Sequence, residues 1–400
     1  MKYAVLVGDG MADYPVRELG NKTPLESAKT PNMDFAAKNG RSGLVKTVPA
    51  GFAPASDVAN LSIIGYDPKK YYSGRGPLEA SNMGIKLGPD DVAFRCNLVT
   101  IDNGLMADYS AGHITTGEAS TLIRFLDKEM GSDKIRFYPG VSYRHLMIVK
   151  DASLKEALLK SECVPPHDIT GSPIKGHLPK GAGGEFLVKI MEDSRALLSG
   201  HEVNHVRIDL RENPANMVWL WGQGVDANMP KFRDLYGADG SVISAVDLIK
   251  GIGKTIGLDV IDVPGATGYY DTNYQGKAQY AIDSLKHKDF VFVHVEAPDE
   301  AGHNGDLRAK IAAIESFDRF VVGAFLGSPQ GKKGELRVMV LPDHFTPVSL
   351  RTHSAEPVPF VMCGKGIEPN NAPAFSEAEA RNTGLMHGHG EELMRYFMKP

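Results

Sequence analysis

The chain has 400 residues, enough for two domains, and its 42% hydrophobic and 23% charged residues are typical of a globular protein. A formal net charge of −5 leaves no basic excess, so we expect no nucleic-acid partner. The three cysteines (Cys96, Cys163 and Cys363) suit no disulfide framework and no stretch is long enough to span a membrane, so we expect a cytoplasmic protein without a membrane partner.

The first predicted element is a strand at the N-terminus, Tyr3 to Val7, which runs into Gly8, Asp9 and Gly10. Its apolar run is too short for the core of a signal peptide. A short run of this kind, rich in β-branched residues and ended by glycine, is typical of a buried parallel strand.

A helix is predicted next, with Ser56 at its N-terminus and Gly65 as its end. Free backbone N–H groups and the helix dipole favour an anion at such a terminus. A serine in this position is commonly only a helix cap. The same position also suits a serine alkoxide facing a phosphate, where a nearby metal ion lowers the pKa of the hydroxyl.

The middle of the chain, residues 75–213, has a different texture, with many Gly, Pro, Ser and Asp residues and short alternating runs such as 93–99. We interpret this segment as a smaller α+β domain inserted into a core formed by residues 1–74 and 214–400. The strand-like run 217–221 would mark the return to the core.

Two further apolar runs, at 290–295 and 336–341, are predicted strands, and a helical pattern over 305–326 separates them. Strands that alternate with helices indicate an α/β fold with a mostly parallel sheet. In such sheets, ligands lie outside the carboxyl ends of the strands.

Acidic and imidazole side chains follow these strand ends. The candidate metal ligands are Asp9, Asp299, His303, Asp343, His344 and His353. A lone Asp in such a place is more often a helix cap, and a lone His is more often a surface or core residue. Their coincidence at three strand ends nevertheless favours a metal site. Six ligands exceed one tetrahedral site and suit two ions, with Mn²⁺, Zn²⁺ or Mg²⁺ compatible with mixed oxygen and nitrogen ligands.

Short motifs extend along the chain from end to end. They are P-A-S-D-V-A-N-L-S-I-I-G-Y-D-P (54–68), G-R-G-P-L-E-A (74–80), P-A-N-M-V-W-L-W-G-Q-G (214–224), G-A-T-G-Y-Y-D-T-N (265–273), A-P-D-E-A-G-H (297–303) and L-P-D-H-F-T-P (341–347). This series resembles the archaeal-type, cofactor-independent phosphoglycerate mutases of the alkaline phosphatase superfamily. The resemblance implies an alkaline-phosphatase-like sheet sandwiched by helices. It also implies an isomerase of glycolysis and gluconeogenesis that interconverts 3-phosphoglycerate and 2-phosphoglycerate without 2,3-bisphosphoglycerate.

The resemblance further implies residue roles. One ion would be held by Asp299, His303 and His353, and the other would be surrounded by Asp9, Ser56, Asp343 and His344. Ser56 would be the residue that is phosphorylated. Mn²⁺ or Mg²⁺ would be the ions, with Zn²⁺ as a further option.

The inserted domain must supply charge for the phosphate and carboxylate of the substrate. Its candidate substrate-binding residues are Arg75, Arg95, His113, Arg144 and His145, each of which also fits a solvated surface group. His113 or Asp108 is the candidate general acid and base. The domain is shorter than in the longer bacterial mutases, and the arginine-rich signature of that form is not recognisable here.

Other readings of the same residues stay open. Phosphatases, sulfatase-like hydrolases and phosphopentomutases share such metal ligands and differ in the capping domain, although motifs 74–80 and 265–273 favour the mutase. A non-catalytic phosphometabolite-binding protein would be indicated by loss of a ligand or of the serine, and neither is lost. The chain has no P-loop, so kinase chemistry is unsupported. The preferred ion and the oligomeric state are not determined by the sequence.

Overall fold

The structure is a computed structural model that describes residues 1–399. It divides into two compact units, a larger one formed by Met1–Tyr72 and the chain from Met229 onward, and a smaller one formed by Ser73–Asn228. Within residues 1–399, no helix combines the length and apolar character needed to cross a bilayer.

The strands, in chain order, are β1 (Lys2–Gly8), β2 (Arg41–Val45), β3 (Asp91–Asp102), β4 (Leu105–Asp108), β5 (Ile135–Val141), β6 (Arg144–Lys150), β7 (Met217–Gly224), β8 (Gly240–Ile243), β9 (Asp259–Val260), β10 (Phe290–Val295), β11 (Leu336–Leu341), β12 (Val358–Gly364) and β13 (Met386–His387).

The α-helices, in chain order, are α1 (Pro24–Ser27), α2 (Pro31–Lys38), α3 (Ser56–Ile63), α4 (Pro68–Tyr71), α5 (Arg75–Asn82), α6 (Thr116–Met130), α7 (Lys155–Leu159), α8 (Gly184–Leu198), α9 (Glu202–Asp209), α10 (Phe232–Tyr236), α11 (Asp247–Thr255), α12 (Tyr274–Ser284), α13 (Ala297–Asn304), α14 (Leu307–Ser316), α15 (Gly323–Leu326), α16 (Pro329–Lys332), α17 (Glu377–Asn382) and α18 (Gly390–Phe397). A π-helical turn, Phe317–Val322, joins α14 to α15.

In the part of the chain described, the larger unit is built on an eight-stranded sheet in the order β13-β2-β12-β11-β1-β10-β8-β9. Central strand β1 is parallel to both neighbours, with Val5 opposite Phe292 of β10 and Met339 of β11. Strand β12 runs antiparallel to β11 and β2. All residues of β10 and β11 are buried, which explains why both strands are apolar apart from His294 and Arg337. The predicted α/β fold with a mostly parallel sheet is confirmed.

The core of the larger unit lies between this sheet and its helices. Leu6, Val293 and Val340 of the three central strands pack with Met33 of α2 and Ala281 of α12. Because alternate residues of a strand point to opposite faces, the sheet buries its apolar side chains on both faces while its strand ends stay free for polar residues.

The smaller unit has an antiparallel sheet, with β3 paired to β4, β6 and β7, and β5 paired to β6. Helices α6 and α8 cover one face through residues such as Leu122 and Leu187. The predicted return to the core at residue 214 is wrong, because β7 pairs with β3 of this unit, which continues to Asn228. Its apolar pattern indicates a strand but does not specify the sheet it joins.

Candidate active site

The candidate metal ligands lie at one edge of the larger sheet. Asp9 directly follows β1, and its backbone N–H donates to the carbonyl of Val295 at the end of β10 (2.9 Å). Asp299 lies in the first turn of α13, just past β10. Asp343 and His344 follow β11. Since β10, β1 and β11 are parallel neighbours, their carboxyl ends bring these side chains together.

One group of ligands is centred on Asp299. Its Oδ2 lies 3.3 Å from Nε2 of His303, and its Oδ1 lies 3.4 Å from Nε2 of His353. The two imidazole Nε2 atoms are 2.9 Å apart. The three residues predicted for one ion therefore converge, and His344 extends the group because its ligand atom lies within 4.8 Å of those of Asp299 and His353.

The second group is buried more deeply. Nε2 of His344 lies 3.4 Å from Oδ1 of Asp9 and 3.6 Å from Oδ2 of Asp343. Ser56 Oγ lies 3.0 Å from the same nitrogen. The structure thus brings together the four residues predicted to surround the other ion.

Ser56 is the first helical residue of α3, and the N-cap of this helix is Ala55. The Oγ of Ser56 contacts His344. The interpretation of Ser56 as a helix cap is therefore wrong. The hydroxyl lies at a helix N-terminus, beside carboxylates and imidazoles, where an anionic group is stabilised.

The donor set of the second group fits a metal ion. Among the described residues, the buried Oδ1 of Asp9 has no hydrogen-bond partner. Burial, reinforced by the charges of Asp343 and Asp299, raises the pKa of Asp9 well above its ordinary value. Buried carboxylates so close together repel each other, and a divalent cation relieves that repulsion without adding a proton.

The pKa values of His303 and His344 are shifted in opposite directions by their environments. The hydrogen bond to Asp299 raises the pKa of His303 to about 9, against the opposing effect of burial. Burial lowers the pKa of His344, although Asp343 opposes the effect. The lowered pKa favours the neutral imidazole, which is the form that binds a cation or accepts a proton.

Two side chains that the sequence did not single out hold the ligands in place. Asn60, one turn after Ser56 on α3, donates from Nδ2 to Oδ2 of Asp343 (2.7 Å). Thr346 Oγ1 contacts both Oδ1 of Asp299 and, at 3.2 Å, Nδ1 of His344. Thr346 thereby links the two groups of ligands.

The structure explains why a glycine, Gly10, follows Asp9. Its backbone has a positive φ of 58°, and its N–H donates to Oδ1 of Asp343 (3.0 Å). A Cβ at this position would lie 2.4 Å from Thr346 Oγ1 and 2.5 Å from Asp299 Oδ1. Glycine is required here because the backbone approaches the ligands closely.

His294 was not singled out from the sequence, because only residues beyond the strand ends were considered, and neither was Glu296, which directly follows β10. His294 lies within β10, and its Nε2 is 3.3 Å from Oδ2 of Asp9. Its Nδ1 is 3.2 Å from Oε1 of Glu296, which also accepts from buried Lys277 through Oε2 (2.6 Å). A histidine interrupting the apolar run 290–295 was the available signal.

In the smaller unit, three of the predicted substrate-binding residues lie together. The guanidinium carbons of Arg75 and Arg95 lie 5.3 Å and 4.7 Å from the centre of the Trp221 ring. Buried Arg95 has Nε 3.1 Å from Oε1 of Glu79. Burial lowers the pKa of Arg95; Glu79 opposes this, and the nearby charges of Arg75 and Arg144 add to it. The group concentrates positive charge in a net acidic chain.

His145 lies apart from this group and is buried, which argues against its predicted contact with substrate. Successive residues of a strand point to opposite faces, so His145 lies on the face of β6 opposite to Arg144. Met147 and Val149 share the face of His145 and pack in the core of the unit. Burial lowers the pKa of His145 to about 3, and its Nδ1 accepts from the N–H of Gly140. Packing rather than charge accounts for its position.

Of the two candidates for general acid and base, Asp108 is held by hydrogen bonds that stabilise its own loop. Its carboxylate accepts from the N–H groups of Ser110 and Gly112 and from Nδ2 of Asn213. Burial raises the pKa of Asp108, but these hydrogen bonds dominate and lower it below its ordinary value. His113 is exposed, with its ring 6.2 Å from that of Tyr143, and its role stays a prediction.

The chain is similar in sequence and structure to proteins described as phosphoglycerate mutases. A family described as "2,3-bisphosphoglycerate-independent phosphoglycerate mutase" matches residues 37–204. A protein of that name from Methanosarcina acetivorans is 54% identical over 400 residues, covering 100% of both chains. A solved protein from Pyrococcus horikoshii superposes with a TM-score of 0.83 at 30% identity, covering 99% of this chain and 96% of that one. The cofactor-independent phosphoglycerate mutase of Thermoplasma acidophilum gives a TM-score of 0.67 at 27% identity, covering 100% and 99%.

Proposed function

Because the chain belongs to the 2,3-bisphosphoglycerate-independent phosphoglycerate mutases, we propose that it interconverts 3-phosphoglycerate and 2-phosphoglycerate by carrying the phosphoryl group on Ser56. One observation carries this assignment of the nucleophile. The Oγ of Ser56 lies 3.0 Å from Nε2 of His344, which itself lies 3.4 Å from Oδ1 of Asp9. The reaction needs no 2,3-bisphosphoglycerate, since the phosphoryl group returns to the molecule from which it came.

We assign two divalent cations to the site, Mn²⁺ or Mg²⁺, with Zn²⁺ also compatible with the donors. The ligand sets are Asp299, His303 and His353 for one ion and Asp9, Ser56, Asp343 and His344 for the other. When bound, the ions supply positive charge to the phosphoryl oxygens and lower the pKa of the serine hydroxyl.

The first half-reaction follows from the position of Ser56. The Ser56 hydroxyl first releases its proton to solvent. Its oxygen then attacks the phosphorus of 3-phosphoglycerate in line with the ester oxygen, so the Oγ–P bond forms and the bond from phosphorus to the C3 oxygen breaks. A general acid protonates the leaving alkoxide, with His113 as the remaining candidate. The free N–H groups of the first turn of α3 stabilise the phosphoryl oxygens.

The second half-reaction returns the phosphoryl group. The residue that protonated the leaving alkoxide now takes the proton of the 2-hydroxyl of the same glycerate. The 2-oxygen attacks phosphoserine, so the new O–P bond forms, the bond from phosphorus to Ser56 Oγ breaks and the serine oxygen is restored. The glycerate must stay bound in between, since water would otherwise hydrolyse phosphoserine. Arg75, Arg95 and Arg144 suit this task, because guanidinium groups form paired hydrogen bonds with carboxylate and phosphate.

The proposed location is the cytoplasm. Among the described residues, Cys96, Cys163 and Cys363 are free thiols. Free thiols are typical of a reducing compartment, where glycolysis also takes place.

The assay is direct. Purified protein with Mn²⁺ and 3-phosphoglycerate should form 2-phosphoglycerate with little free phosphate. Ser56→Ala should abolish the conversion, whereas Ser62→Ala, a matched change of a buried serine on the same helix, should retain it. Free phosphate as the main product would indicate a phosphatase. Metal binding without turnover of phosphoesters would indicate a non-catalytic binding protein.

A further inference from the structure

A buried row of alternating charges lies behind Asp9. Lys277 Nζ contacts Glu296 Oε2 at 2.6 Å, His294 Nδ1 lies 3.2 Å from Glu296 Oε1, and His294 Nε2 lies 3.3 Å from Asp9 Oδ2. Lys277 and His294 are 0% exposed and Glu296 is 3% exposed. Ionisable groups buried so completely are costly unless each has a partner, so the arrangement requires an explanation.

The hydrogen bonds around Glu296 fix the role of Nδ1 of His294. The carboxylate accepts from Ser244 Oγ (2.8 Å), from the N–H of Ala245 (2.9 Å) and from Lys277. A carboxylate with these donors is ionised and can only accept. Nδ1 of His294 therefore carries a hydrogen and donates it to Glu296.

The Nε2 atom of His294 faces Asp9. The amide of Asn60 lies 3.4 Å away, but its two hydrogens are directed to the carbonyl of Ser56 (2.8 Å) and to Oδ2 of Asp343 (2.7 Å). Asn60 therefore has no hydrogen left for Nε2. Nε2 therefore faces two carboxylate oxygens, Oδ2 of Asp9 at 3.3 Å and Oδ2 of Asp343 at 3.8 Å, and the Asp9 oxygen is the nearer acceptor.

The two oxygens of Asp9 are thereby distinguished. Oδ2 faces His294, while Oδ1, which has no hydrogen-bond partner among the described residues, lies 3.4 Å from Nε2 of His344. Engaging one oxygen of a ligating carboxylate fixes its rotamer and leaves the other oxygen for the cation.

We propose that His294 is a positioning residue for the ion beside Ser56: held by Glu296 and Lys277, it binds Oδ2 of Asp9 and directs Oδ1 to the cation. This inference rests on the proposed function, because it places an ion beside Ser56. It gives the Lys277–Glu296 pair a purpose other than stability, since a buried ion pair is in itself weakly stabilising.

The test compares two substitutions of His294 that keep different halves of the ring. Gln places an amide nitrogen near the position of Nε2 and keeps the donor to Asp9, whereas Asn places it near Nδ1 and loses that donor. Both are made in a His303→Ala background, so that the ion beside Ser56 is observed alone. Mn²⁺ binding is followed by electron paramagnetic resonance, which does not depend on turnover.

We expect His294→Asn to weaken Mn²⁺ binding by about 10- to 100-fold, the usual effect of losing a partner of a metal ligand, and His294→Gln to retain most of the affinity. An Asn variant that binds as tightly as the parent, or equal losses in both variants, would overturn the inference. A His303→Ala parent that binds no Mn²⁺ would overturn the proposed function as well.

A second variant covers the case in which His294→Asn does not fold. Lys277→Met with Glu296→Gln removes both charges together and leaves His294 in place. We expect Mn²⁺ affinity to fall about tenfold or more, because the imidazole loses its ionised partner. Unchanged affinity would overturn the inference. Arg337→Met, which removes another buried cation of the same sheet, is the control and should leave Mn²⁺ affinity unchanged.

Discussion

The two units of the chain differ in where their charged residues lie relative to the strands. In the larger unit, carboxylates and imidazoles follow the carboxyl ends of β1, β10 and β11, where a parallel sheet gathers them at one edge. In the smaller unit, Arg95 lies in the middle of a long antiparallel strand, and Arg75 begins a helix. Parallel topology thus makes a site predictable from chain order, whereas an antiparallel sheet does not.

The units also differ in the charge they concentrate. The acids of the larger unit are buried against one another, an arrangement that favours a cation. The arginines of the smaller unit lie over Trp221 and offer positive charge to an anion. If the units divide the work in this way, substitutions in the first should change metal binding, and substitutions in the second should change only substrate binding.

The largest expected effect comes from Asp343→Asn. The substitution removes one negative charge from a fully buried ligand, so the cation beside Ser56 should be lost and kcat should fall by about 10²- to 10³-fold, as on loss of a principal electrostatic contact. Calorimetric titration with Mn²⁺ should then show one site instead of two. Two sites of unchanged affinity would contradict the assignment of metal binding to the larger unit.

Next in size is Arg75→Met. It should raise KM for 3-phosphoglycerate and lower kcat/KM by about 10- to 100-fold, since a hydrogen bond to a charged group contributes about 1.5–3 kcal/mol. Mn²⁺ affinity should stay the same. Arg136→Met, in the same unit but on an exposed arginine paired with Asp127, is the control. Equal effects of the two substitutions would argue against the arginine group as the substrate site.

A smaller effect is expected from Thr346→Val, which removes a hydroxyl that contacts Asp299 and His344 while keeping the shape of the side chain. Loss of a hydrogen bond of about 1 kcal/mol should weaken Mn²⁺ binding roughly fivefold. Binding that is unaffected would show that Thr346 only fills space.

The smallest expected effect is the release of one proton when the metal ion binds. The hydrogen bond to Asp299 raises the pKa of His303 to about 9, so the metal-free protein is protonated there at pH 7. A cation needs the neutral imidazole, so binding should release this proton, and apparent affinity should fall as pH drops below about 9. Mn²⁺ titrations in buffers of different ionisation enthalpy measure the release, which should be smaller in His303→Ala.

The sequence was most informative where local patterns and topology agree. The strands 290–295 and 336–341 match β10 and β11, because buried parallel strands have continuous apolar runs. The helix that begins at Ser56 was predicted from its start signals. The convergence of the ligands followed from the rule for strand carboxyl ends.

The remaining features depend on long-range pairing. The pattern of β7 indicates a strand but cannot indicate that β3 is its partner. The orientation of His145 depends on which face of β6 meets α6 and α8. The contacts of His294 with Asp9 and Glu296 join a strand interior to two loops, and no local signal encodes such contacts.

The most direct measurement is to quench the enzyme with acid during turnover of 3-phosphoglycerate and locate the phosphate by mass spectrometry of its peptides. A covalent phosphoryl transfer through the serine at the start of α3 predicts phosphate on Ser56, and no phosphopeptide in Ser56→Ala. Phosphate on another residue, or full mutase activity in Ser56→Ala, would contradict it.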